Sequence, residues 1–177
     1  MKVSIYSIVL LSKRFYTSVM PTNFIVTVLI MITTSIQAQA RTDLNVLCQN
    51  ISTIESGDNY GAVGDKGKSL GAWQMKKAAW DCANNWRVKN GSYAIARADW
   101  RSKTNQHLIA MAYLMYLRDR FNVAGFHDPS PRDYYIAWCW GITRYQKINF
   151  DISRVPRSVR TTAEYVQNLY DNPKKQK

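Results

Sequence analysis

The sequence predicts a mainly helical (α+β) domain with a small hairpin or loop region around residues 57–75, and three observations carry that prediction. Apolar residues recur at helical spacing in several capped segments, while glycine and small polar residues concentrate in one stretch, DNYGAVGDKGKSL at 58–70. A length of 177 residues with 46% hydrophobic content matches a single packed core and excludes a disordered, collagen-like or low-complexity chain.

The N-terminus reads as an address rather than as part of that core. Residues 24–36, FIVTVLIMITTSI, form a charge-free apolar run of 13 residues, preceded by Lys2, Lys13 and Arg14 and followed by Ala38-Gln39-Ala40. Basic front, short apolar run and small-x-small ending are the three parts of a secretory signal peptide, with cleavage after Ala40. The run is shorter than the about 20 residues of a stable span, which favours a cleaved signal over the alternative, a retained membrane anchor. Met20 offers a second start, since the segment from it to Ala40 is a signal peptide by itself. The reading is two parts, a signal peptide at 1–40 and one domain at 41–177, secreted or periplasmic. It touches a membrane only through an uncleaved signal.

In the mature part, Asp43 caps a helix with apolar positions Leu44, Leu47, Cys48, Ile51 and Ile54, and Ser56-Gly57 ends it. The glycine-rich stretch follows, then Gly71-Ala72-Trp73-Gln74-Met75 leads into a helix from 76 to about 86, with Asn90-Gly91 as a turn. The strongest periodic segment spans about 104–121 and places Leu108, Met111, Ala112, Met115 and Phe121 on one face. Ser130 caps a further helix, Pro131 takes its first position and Gly141 stops it. A last helix covers about 158–169. No repeat or long linker divides residues 41–177.

The chain carries 24 basic and 12 acidic residues, and residues 1–40 hold three of the basic ones and no acid, so the remaining 137 residues keep a charge of +9. The basic residues are spread without a cluster or nucleic-acid motif, which leaves nucleic acid out as a partner. An oxidising compartment can join two of Cys48, Cys82 and Cys139, with all three pairings open. No CxxC occurs and His107 and His127 do not sit with the cysteines at ligand spacing, so no metal site is expected.

The acids are ten aspartates and only two glutamates, Glu55 and Glu164. Glu164 lies in an ordinary helical stretch. Glu55 ends an apolar-faced helix and opens the glycine-rich loop, a place where a carboxyl is partly buried yet reaches a cleft. Burial disfavours the charged form and keeps such a group protonated, as a general acid requires.

The stretch Ile54-Glu55-Ser56-Gly57, then Ala62-Val63-Gly64-Asp65, Gly67, Ser69-Leu70-Gly71 and Gln74-Met75 resembles the active-site segment of the lysozyme-like superfamily, specifically soluble lytic transglycosylases and goose-type lysozymes. Asn105-Gln106 opening the long helix, and the Pro156 to Val166 segment with Tyr165, are similar to later helices of that family. The resemblance covers about 54–168. It implies a lysozyme-like fold, Glu55 as the acid that protonates a glycosidic oxygen, Ser56 holding that carboxyl, and Gln74 and Met75 lining a sugar cleft. Asp65 matches an aspartate that orients water in goose-type lysozymes, and also suits a turn in Gly64-Asp65-Lys66-Gly67. Trp73, Trp138 and Tyr165 complete the expected substrate contacts. Two departures stand out: Cys139 replaces the asparagine of an A-Y-N-x-G helix, here Ala137-Trp138-Cys139-Trp140-Gly141, and Lys76 replaces an aspartate just past the Gln turn.

The implied substrate is a peptidoglycan glycan strand, cut at the β-1,4 bond between N-acetylmuramic acid and N-acetylglucosamine, whose peptide carboxylates suit a +9 surface. If water quenches the oxocarbenium-like centre, a second carboxylate stands opposite, roughly 6.5–9.5 Å away in inverting enzymes, and Asp65 is the candidate. If the substrate's own 6-hydroxyl attacks, one glutamate serves as acid and then base and leaves a 1,6-anhydro sugar, an outcome that fits one convincing carboxylate. The alternatives are a hydrolytic lysozyme or chitinase and a non-catalytic wall-binding protein. The reading is of a monomer that uses no cofactor.

Overall fold

The computed structural model describes residues 42–172. The chain divides after Ala40, and the described residues all belong to its second unit, 41–177. The signal peptide expected at residues 1–40, with its cleavage after Ala40, lies outside the described residues. Within them no helix is long and apolar enough to cross a membrane.

Helix α1, Leu44–Ser56, starts where Asp43 accepts the amides of Asn45 and Val46 at 2.8 and 3.5 Å, and buries Leu44, Leu47, Cys48 and Ile51. It stops at Gly57, whose φ of 64° turns the chain out of the helix. The glycine-rich region then folds as a small antiparallel sheet of three two-residue strands, β1 (Val63–Gly64), β2 (Ser69–Leu70) and β3 (Met75–Lys76), in the order β1-β2-β3. Val63 pairs with Leu70, and Leu70 with Met75.

Helix α2 covers Lys77–Lys89, three residues beyond its expected end. Helix α3, Lys103–Val123, is capped by Ser102, and its core face is the expected one only in part, at Ala112 and Phe121. Ile109, Ala110, Leu114, Leu117 and Phe121 are buried, whereas Leu108 is 40% exposed. The stretch LIAMAYLMYL is apolar almost all round, so spacing alone could not select the buried side. Helix α4, Pro131–Ile136, has the expected Ser130 cap, completed by Asp133 into a capping box. Gly141 does not stop the helical run. It closes a wide π-type turn, Ala137–Gly141, with φ 100°, and helix α5 (Ile142–Lys147) follows at once. Helix α6 is Arg157–Asp171.

The domain is thus mainly helical with one small sheet. Helix α3 packs against α2 and α1, and α6 against α4 and α1. Beneath α4 and α5 lies an aromatic cluster in which Phe126 stacks on Phe150 at 4.7 Å and Phe121 meets Tyr134 edge-on at 5.3 Å. Asp133, itself buried, accepts the Tyr145 hydroxyl at 2.6 Å and so ties α4 to α5. Cys48, Cys82 and Cys139 are all free thiols, and none of the open pairings forms.

The glycine-rich loop is held to α3 by one side chain. Gln106 is 2% exposed; its Oε1 accepts the Ala72 amide at 2.7 Å, and its Nε2 donates to the Tyr60 and Trp100 carbonyls at 2.9 and 2.8 Å. A buried amide with these partners satisfied fixes loop, helix and preceding turn together. Gly71 makes room for it, because a Cβ there would meet Gln106 Oε1 at 2.1 Å.

Candidate active site

Glu55 is the penultimate residue of α1, so Gly57 sends the backbone away just beyond it and leaves its carboxyl facing a cleft of about 540 Å³. The sheet forms one wall, with Asp65, Ser69, Gln74, Met75 and Lys76. The π-type turn forms another, with Trp138, Cys139 and Trp140. Such a wide turn presents side chains that a regular helix would spread around its axis.

Tyr135 donates its hydroxyl to Glu55 Oε1 at 3.1 Å. Burial raises the Glu55 carboxyl above its ordinary value; the Tyr135 bond and the Lys76 charge pull it down, and Asp65 adds to the rise. The phenol of Tyr135 is itself pushed up, by burial and then by the Glu55 charge, so it stays a donor. Desolvation at the cleft wall and the Glu55 charge push the Cys139 thiol up to about 12, so a neutral SH faces the site at neutral pH.

Asp65 lies in the same cleft in a different state. Its Oδ2 takes Lys76 Nζ at 2.8 Å and the Ser69 hydroxyl at 2.9 Å, and both hold its carboxyl below the usual range. The two cleft carboxyls are therefore driven apart, one toward the protonated form and one toward the charged form.

Gln74 lines the cleft with φ 45°, and its amide donates to the Gly71 carbonyl at 2.9 Å while passing over Gly64, where a Cβ would lie 2.1 Å from its Oε1. Trp138 is half-buried in the wall and meets Tyr113 edge-on at 5.1 Å. Arg144, on α5, also lines the cleft, and its guanidinium has no ion-pair partner among the described residues.

Three expected site residues are placed otherwise. Ser56 does not hold the Glu55 carboxyl: its hydroxyl donates to the Ala72 carbonyl at 2.9 Å and accepts the Asn59 amide at 3.0 Å, which pins the loop to the helix end. Trp73 is 2% exposed, and its indole donates to the Cys48 carbonyl at 2.8 Å, so it is core and presents no face to a sugar. Tyr165 lies on α6 in a separate pocket with Asn168, Leu169 and Asn172 and does not line the Glu55 cleft. The tyrosine that meets Glu55 is Tyr135, which the sequence reading passed over. Its signal was the need of a partly buried carboxyl for a donor, together with the Tyr134-Tyr135 pair just before the π-type turn.

Among the described residues no three His, Cys, Asp or Glu side chains gather as a metal-holding group. Chemically, the cleft offers one carboxyl held toward neutrality, one ion-paired carboxylate, an amide, flat aromatic walls and a free guanidinium. Comparison with protein-family models, with curated proteins and with solved structures returns no match for this chain.

Proposed function

We propose that this chain is an exported, lysozyme-like enzyme that cleaves the β-1,4 glycosidic bond of peptidoglycan between N-acetylmuramic acid and N-acetylglucosamine. The observation that carries the proposal is Glu55, a partly buried carboxyl biased toward its protonated form and oriented by Tyr135 in an open cleft. The resemblance of the 54–75 segment to lytic transglycosylases and goose-type lysozymes points the same way. So do Gln74, Trp138 and Trp140, which give a sugar ring polar and flat apolar contacts in that cleft. Arg144 suits the carboxylates of the wall peptide.

In the proposed reaction Glu55 gives its proton to the leaving glycosidic oxygen as the C1–O bond breaks. The carboxylate left behind takes the proton of the substrate's own 6-hydroxyl, whose oxygen bonds to C1 and closes a 1,6-anhydro ring. Glu55 ends as it began, so no second carboxylate is needed. The ion pair on Asp65 favours this route over hydrolysis, because a carboxylate held by an ammonium group is a poorer base for water.

The departures Lys76 and Cys139 both line the cleft and support a second reading, a wall-binding protein without turnover. Purified protein incubated with cell-wall sacculi separates the readings by mass analysis of the soluble fraction. The proposal expects muropeptides with 1,6-anhydro ends; adsorption to sacculi without soluble product overturns it.

A further inference from the structure

We propose that Lys76 decides the product: by engaging Asp65 it keeps that carboxylate from activating water, so that Glu55 works alone. The inference rests on the glycosidase reading above and deepens it.

Its ground is the geometry of one wall. Among the described residues that line the cleft, Asp65 is the only carboxylate besides Glu55. Hydrolysis asks such a second carboxylate to take a proton from water as the water oxygen bonds to C1, while Glu55 protonates the leaving oxygen and a reducing end forms. Register fixes the lysine in place. Lys76 is the second residue of β3 and pairs across the sheet with Ser69 of β2, and Ser69 and Lys76 converge on the same oxygen of Asp65 at 2.9 and 2.8 Å.

Asp65 itself is presented by the turn between β1 and β2, where Asp65 and Lys66 take φ of 47° and 55°. Its other oxygen, Oδ1, has no hydrogen-bond partner among the described residues, so the carboxylate still meets solvent. What restrains it is the charge on Lys76 and not a blocked approach. When a glycan fills the cleft and excludes water, that charge acts through a lower dielectric and the restraint grows.

The pair is open to solvent, with side chains 63% and 54% exposed, so removing the ammonium leaves the fold standing. Losing Lys76 also lets the Glu55 carboxyl rise, and Glu55 serves both routes. A double variant therefore isolates the part played by Asp65.

The test compares wild type, Lys76→Met, and Lys76→Met combined with Asp65→Asn on purified sacculi, reading the ratio of reducing to 1,6-anhydro ends by mass spectrometry. That ratio does not depend on the amount of active protein. Wild type should give anhydro ends, Lys76→Met should raise the ratio by about fivefold, and the double variant should return it to the wild-type value. An unchanged ratio in Lys76→Met, or a rise that persists in the double variant, overturns this inference alone. Reducing ends as the main wild-type product overturn it as well. Absence of any soluble product from wild type overturns the parent reading and takes this inference with it.

Discussion

The Tyr135 hydroxyl reaches Glu55 Oε1 across 3.1 Å and joins the end of α4 to the end of α1, 80 residues earlier in the chain. This bond sets two properties of the carboxyl at once, its direction and its proton affinity. Tyr135→Phe keeps the buried ring and deletes the bond. Because the bond lowers the Glu55 pKa against the larger effect of burial, its loss raises that pKa further. The alkaline limb of kcat/KM against pH should move to higher pH, with kcat reduced by about tenfold as the carboxyl loses its orientation. A limb that moves to lower pH contradicts this role.

Glu55 also costs the fold stability at neutral pH. A carboxyl whose folded pKa is raised binds its proton more tightly in the native state than in the unfolded chain. Stability therefore falls as pH climbs from the unfolded carboxylate range through the raised folded value. Glu55→Gln removes that dependence. Thermal melts should show the variant above wild type by a few degrees at pH 7. The gap should close below about pH 4, where both forms are neutral.

Gly64 gives a way to move Gln74 without touching it. A methyl group at residue 64 would stand 2.1 Å from Gln74 Oε1, at the far end of a flexible side chain, and the φ of Gly64, −110°, is open to alanine. Gly64→Ala should displace the amide from its bond to Gly71 and raise KM for soluble glycan fragments several-fold. The melting temperature should stay within about 2 °C of wild type, as for an ordinary surface change. A large fall in stability with KM unchanged would show that Gln74 serves the loop and not the substrate.

Gln106 carries the opposite expectation. Gln106→Ala leaves the Ala72 amide and the Tyr60 and Trp100 carbonyls without their partner, and should cost about 3 kcal/mol in urea unfolding. Gly71→Ala attacks the same joint from the other side, with a contact of 2.1 Å at φ 78°, and should also destabilise. Equal stability of both variants with wild type would refute the role of this amide as the anchor of the loop.

Local signals were legible in the sequence where the physics is local. Asp43 and Gly57 bound α1, and Ser130 with Pro131 opens α4, because caps act within a few residues of the backbone groups they satisfy. Glu55, Asp65, Gln74, Met75 and Trp138 come to one cleft, and four of these five stand within 21 residues of chain. What failed depended on distant partners. The buried side of α3 is chosen by what packs on it, and Leu108 lost to Ile109 in a segment apolar all round. Trp73 and Met75 are both almost fully buried, yet only Met75 reaches the cleft, because α1 claims the indole through the Cys48 carbonyl. Tyr165 stood out through its likeness to a family helix, whereas Tyr135, near the end of α4, is the tyrosine whose hydroxyl reaches Glu55 from 80 residues away in the chain. The continuation past Gly141 was hidden because a glycine that ends a helix and one that closes a π-type turn look alike in sequence.

The most direct test of the account is the rate at which soluble fragments leave purified sacculi under wild type and Glu55→Gln at equal concentrations of folded protein. The account predicts measurable release by wild type and a loss of about 10²–10⁴-fold in the variant, the contribution of a positioned general acid. Release by Glu55→Gln at the wild-type rate would contradict it.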